Sequence, residues 1–124
     1  MRTTIFDLAD GDVRPRVAEA PAWRPFEEWD GQPLRGVQAV DLAEPHGALL
    51  QLVLIEAAGR FVMHSSPDVA FCQIVRGRGK LGLPGGRELA YEAPELYVFL
   101  PGTLHDWHDI EADTLLAVCL VRQP

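Results

Sequence analysis

The chain has 124 residues, 48% of them hydrophobic, and a formal net charge of −7. That length holds one core rather than two, and it buries enough surface to fold without a metal or a disulfide. The arginines are scattered apart from a weak group at Arg76, Arg78 and Lys80, so no basic patch exists for a phosphate backbone and no nucleic-acid partner is expected.

Residues 1–22 lack sustained periodicity, and Pro15, Pro21 and Pro25 interrupt any longer element. They carry no apolar signal core, and no run in the chain is long enough to span a bilayer, so a cytoplasmic location with no membrane partner is expected. Trp23, Phe26 and Trp29 come next; three large aromatics this close favour packing over disorder. Residues 1–30 therefore read as an arm lying on the body or on a partner subunit, and 31–124 as the main β-barrel domain.

After the turn signal Asp30-Gly31, residues 35–42 alternate loosely and Glu44-Pro45-His46-Gly47 breaks the pattern. The run 49–56 is strongly β-prone. Ala57-Ala58-Gly59-Arg60 reads as a turn into 61–64, Pro67-Asp68 as another turn, and 71–75 as the next strand. Gly77, Gly79 and Gly82 punctuate the next stretch, and Pro84-Gly85-Gly86 forms a hairpin tip between 80–83 and 87–91. Runs at 96–100, 105–110 and 114–121 complete about nine or ten short strands with no helix, the signature of an all-β sandwich or barrel. Cys72 and Cys119 each sit in an apolar run and read as buried thiols in a reducing compartment.

The stretch from Pro101 to Asp109 carries His105 and His108, two of the four histidines, with Asp106, Asp109 and Trp107. A ligand-capable cluster on a turn between strands is a common place for a site. Alternate residues of a strand share a face. If His105 points inward, Trp107 and Asp109 go with it, while Asp106 and His108 face the other way. If His64 points inward, so do Ser66 and, beyond the turn, Ala70 and Cys72. His108 and His46 read as surface histidines, and His108 joins the inner set only if a bulge re-aims it.

These residues resemble the small single-domain cupins. Gly59, His64 and Gly77 occupy the glycine, first-histidine and closing-glycine positions of that family's first motif; Gly102 and His105 match its second, and Glu95 stands where the family often has an acid. The resemblance covers roughly 49–121 and implies a double-stranded β-helix, or jelly-roll barrel, with a site inside its mouth. The departures are Ser66 for the second histidine, Ala70 for the glutamate, a spacer between Gly59 and His64 one residue short, and Pro94, Leu100 and Asp109 in the second motif. Of the family's metal ligands, His64 and His105 remain, so the resemblance implies at most a thinned site for iron, nickel, manganese or zinc.

Three functions are expected in turn. The first is a small organic molecule bound in a barrel mouth lined by His64, Ser66, Cys72, His105 and Trp107, with catalysis left open. The second is a dioxygenase- or isomerase-type metalloenzyme with His64 and His105 as ligands, completed by Cys72, Asp109 or water. The third is metal-free acid–base catalysis of an isomerase or cyclase type, in which His64 or His105 moves a proton under the orientation of Asp106 or Asp109. His105 and Asp109 are the catalytic candidates. A homodimer is expected, formed through sheet edges with help from Trp23 to Trp29.

Overall fold

The computed structural model describes residues 1–124 and contains eleven strands and one short 3-10 turn, Pro84–Gly86. The strands are β1 (Arg2–Ala9), β2 (Asp12–Glu19), β3 (Arg24–Pro25), β4 (Glu28–Trp29), β5 (Gln32–Pro33), β6 (Arg35–Ala43), β7 (Ala48–His64), β8 (Val69–Gly82), β9 (Glu88–Glu92), β10 (Glu95–Phe99) and β11 (His105–Val121). The main sheet runs β10-β8-β11-β7-β6-β3, with β9 pairing β8, and every pairing in it is antiparallel. No helix is long and apolar enough to cross a membrane.

The all-β expectation holds, but several of the expected short runs merge into longer strands. The separate runs 49–56 and 61–64 belong to the 17-residue β7, and 105–110 and 114–121 belong to the 17-residue β11. Ala57-Ala58-Gly59-Arg60 is a bend rather than a turn: Ala58 takes a left-handed φ of 64° and the chain keeps its partners on both sides. Bulges of this kind let one strand wrap from one side of a barrel to the other. At the matching bend of β8, Gly77 has a φ of 107°, and a Cβ there would lie 2.6 Å from the Thr114 Cα. Only glycine fits that close crossing.

The core is formed by Val37, Ala39, Val53, Ile55, Phe61, Cys72, Ile74, Leu81, Tyr91, Trp107, Ile110 and Leu116. Tyr91 and Thr114 bury a mutual hydrogen bond of 2.6 Å within it, and no buried polar side-chain atom is left without a partner. Both cysteines are free; Cys72 is buried as expected, whereas Cys119 is only partly covered because it points out of the barrel.

β1 and β2 pair with each other alone, forming a separate two-stranded sheet. The aromatics after them take a different place. Phe26 and Trp29 pack on Phe61 of the same chain, with ring centroids 5.6 and 5.9 Å away, and Trp23 stays 41% exposed.

Candidate functional site

β7 ends and β11 begins side by side, with His64 directly opposite His105. Their ring centroids are 4.3 Å apart. The two histidines share a cavity of about 90 Å³ with Ser66, Cys72 and Trp107, walled by Phe26, Trp29, Phe61 and Phe99 among other apolar side chains. Phe99 stacks flat on His105, at 3.7 Å between centroids and 7° between planes. Trp29 and Phe61 close on His64 at 5.3 and 4.2 Å.

Backbone carbonyls fix the state of both rings. His64 Nδ1 lies 2.7 Å from the Val62 carbonyl and His105 Nδ1 lies 3.1 Å from the Thr103 carbonyl. A carbonyl only accepts, so each Nδ1 carries the proton and each Nε2 keeps a lone pair. Burial lowers the pKa of both. For His105, burial and then the neighbouring His64 ring bring it down to about 4. Near neutral pH the cavity therefore holds two uncharged imidazoles, each with one free acceptor. Because no buried polar atom lacks a partner, those Nε2 atoms are not sealed from the cavity. Burial likewise raises the Cys72 thiol to about 12, leaving it protonated and inert.

Strand parity places Trp107 with His105, and Ser66 and Cys72 with His64. It fails at Asp109. The pairing of β11 with β8 slips between His108 and Ala112, and Asp109 adopts a left-handed φ of 47°. That bulge breaks the alternation and turns the Asp109 carboxylate outward, 74% exposed. Asp109 therefore does not share the face of His105, and it can neither complete an inner ligand set nor orient an inner histidine.

The histidine–carboxylate pair expected around His105 forms instead around His108, outside the barrel. His108 Nδ1 donates to Asp106 Oδ1 at 2.6 Å and Nε2 donates to Glu88 Oε2 at 2.8 Å. Arg60 approaches the other Asp106 oxygen at 3.7 Å, and Lys80 approaches Glu88 at 3.6 Å. Partial burial opposes the charge on His108, but the hydrogen bonds to Asp106 and Glu88 outweigh it and raise the pKa. The bond from His108 in turn lowers that of Glu88. Asp106 reaches this position because Gly82 leaves room: a Cβ there would fall on the carboxylate, with Cγ only 2.7 Å away. His108, Asp106 and Arg60 line an open, charged groove of about 610 Å³ that also takes in Arg35, Asp109 and Glu111.

No protein-family model and no curated protein matches the sequence. Solved structures do match in shape. A cupin 2 conserved barrel domain protein from Rhodopseudomonas palustris superposes with a TM-score of 0.69 at 21% identity, over 100% of this chain and 81% of that one. KdgF from a Halomonas species gives 0.68 at 16% identity, over 84% and 90%. A predicted oxalate decarboxylase from Thermotoga maritima gives 0.62 at 14%, over 70% and 81%. The chain has the cupin fold.

The metal that the cupin fold implies can be tested against the donors present. Catalytic and structural metal sites take three or four protein ligands. The cavity offers two imidazoles, with a hydroxyl at Ser66 and a methyl at Ala70 in the other family positions. The one trio of His, Cys or carboxylate ligand atoms that gathers within 4.8 Å is Glu88, His108 and Asp109, on the outer lip. The inner donor set does not fit the cupin metal.

Parity found His64, Ser66, Ala70, Cys72, His105 and Trp107 of the inner wall. It missed Phe99, which lies inward on β10, and it could not reach Phe26 and Trp29, whose segment has no period to read. It also missed Glu88, which meets His108 only because β9 and β11 flank the same stretch of β8.

Proposed function

We propose that this protein binds a small, neutral, hydroxyl-bearing organic molecule in the barrel cavity, with the hydroxyl donating to His64 or His105 Nε2. The observation that carries this reading is the facing pair of uncharged imidazoles, each held by a backbone carbonyl so that one acceptor stays free in a mostly apolar cavity whose other polar lining groups are Gln51 and Ser66. An anion meets two lone pairs and no cation there. A cation loses its hydration without gaining a charged partner. A pure hydrocarbon leaves both acceptors unpaired, which costs about 1–3 kcal/mol.

The volume limits the ligand. About 90 Å³ takes a short-chain alcohol, or the hydroxyl end of a longer molecule whose tail lies in the mouth. Binding is the core of the proposal and catalysis is not required by it. No carboxylate hydrogen-bonds either inner ring, so neither Asp106 nor Asp109 orients a histidine base in the cavity. We also take the working unit to be a homodimer.

Titrating 1-butanol, butyrate and pentane against the protein and following His64 and His105 by NMR tests the reading. Saturable shifts with 1-butanol alone support it, and stronger binding of butyrate overturns it. Adding iron(II), nickel, manganese or zinc separately tests the metal alternative. One equivalent bound, and lost in His64→Ala and His105→Ala, would replace the alcohol ligand with a metal.

A further inference from the structure

We infer that the outer face of the main sheet and the β1–β2 hairpin are the two halves of one interface, closed by a second copy of this chain. This deepens the homodimer part of the functional reading and is independent of what fills the cavity.

Cavity-facing residues fix which side chains point outward. Val53 on β7, Cys72 on β8, Phe99 on β10 and Val118 on β11 line the cavity, so their sequence neighbours face out. The pairing lines these up across the sheet. Val98, Phe71, Cys119 and Leu50 form one row over four strands, and Leu96, Gln73, Ala117 and Leu52 form the next. Gln73 is the one polar group in the two rows. An antiparallel sheet with a solvated face normally alternates apolar and polar residues. Here the apolar pattern continues on both faces. Phe71, Leu96 and Val98 are 40%, 61% and 46% exposed.

The hairpin has the same defect. Phe6 pairs with Pro15, Leu8 with Val13 and Thr4 with Val17, all on one side, and Phe6, Leu8, Val13 and Val17 are 58–75% exposed. A lone two-stranded hairpin is marginal in water and needs a surface to pack on. It leaves the body through residues 20–23 beside β3, at the edge of the sheet whose outer face is bare.

Both open faces belong to one chain, so a two-fold axis covers them together, each hairpin lying across its partner's sheet. A different protein would cover one and leave the other. The area is sufficient. Four strands about 4.8 Å apart and about 20 Å long, with a hairpin about 27 Å by 10 Å, give roughly 600–700 Å² of footprint, close to the about 800 Å² per partner of a standard interface. Neither patch centre carries a charge, so two chains of net charge −7 meet where their repulsion is least.

Sedimentation velocity on the full chain at micromolar concentration tests this, together with hydrogen exchange on residues 2–19. The expected mass is twice the 13.7 kDa of one chain, with the hairpin amides protected. Phe6→Glu and Phe71→Glu alter exposed side chains and leave the barrel folded by near-ultraviolet circular dichroism. Each is expected to weaken the dimer at least tenfold and strip protection from the hairpin. A dimer that neither substitution weakens overturns the interface but leaves the homodimer standing. A monomer with a protected hairpin shows the arm covering its own sheet, and a monomer with an unprotected hairpin removes the dimer altogether.

Discussion

His105 and His108 leave the same strand three residues apart, yet one ring is held neutral in a mostly apolar cavity and the other is biased toward its charged form on a wet lip. For His105, burial and a neighbouring imidazole dominate, and a carbonyl accepts the hydrogen bond from its single N–H. For His108, two carboxylates each accept a hydrogen bond from the ring, and they outweigh the cost of partial burial. The inner ring is therefore left with an acceptor to offer, and the outer ring is occupied in holding its neighbours. Residue type says little about the role here. What decides it is whether the ring's partners are carbonyls or carboxylates.

The contrast is broken most severely at Gly82. Gly82→Ala puts a methyl where the Asp106 carboxylate sits, which displaces a buried anion from His108 and Arg60. We expect a loss of about 3–4 kcal/mol in urea denaturation, with 1-butanol binding changed less than twofold if the two halves are independent.

The inner half is sharpened by pH. The folded pKa of His105 lies near 4 against 6.5 when unfolded, so between those values the unfolded chain binds more protons. Stability must fall as pH drops from about 6.5 to about 4, by about 3 kcal/mol for this group. His105→Phe should flatten most of that slope, leaving the smaller contribution of His64, and should abolish the alcohol response.

At the outer half the sign reverses. The raised pKa of His108 makes its contribution fully present below the unfolded pKa and lost as pH climbs through the folded one. His108→Gln should cost about 1 kcal/mol at pH 5.5 and less at pH 8.5, measured by thermal unfolding at both. The smallest expected effect is chemical. Cys72, buried and with its pKa near 12, should resist iodoacetamide in the folded protein at pH 8 and react once the chain is unfolded.

The strands were legible in the sequence because their apolar residues are continuous and their breaks carry glycine and proline. Their lengths were not, since a turn and a bulge use the same residues. Ala57-Ala58-Gly59-Arg60 reverses nothing, and only the pairing of the chain on either side of it with β6 and β11 reveals that. The inner wall was legible wherever parity runs unbroken, from His105 to Trp107 and from His64 through Ser66 to Cys72. It failed one bulge later, at Asp109. The partners of His108 lie on another strand, and the aromatic cover at Phe26 and Trp29 comes from an irregular segment, so both depend on tertiary packing that a single sequence does not display.

The most direct test of the central claim is nitrogen-15 NMR of the histidine imidazoles from pH 5 to 8, with and without 1-butanol. His105 is expected to stay neutral with the proton on Nδ1 and His64 to titrate below pH 6.5, the Nε2 resonances of these two alone to move when the alcohol is added, and His108 to titrate above pH 6.5. Titration of either inner ring near pH 6.5, or Nε2 resonances that ignore the alcohol, would contradict a cavity built on two neutral acceptors.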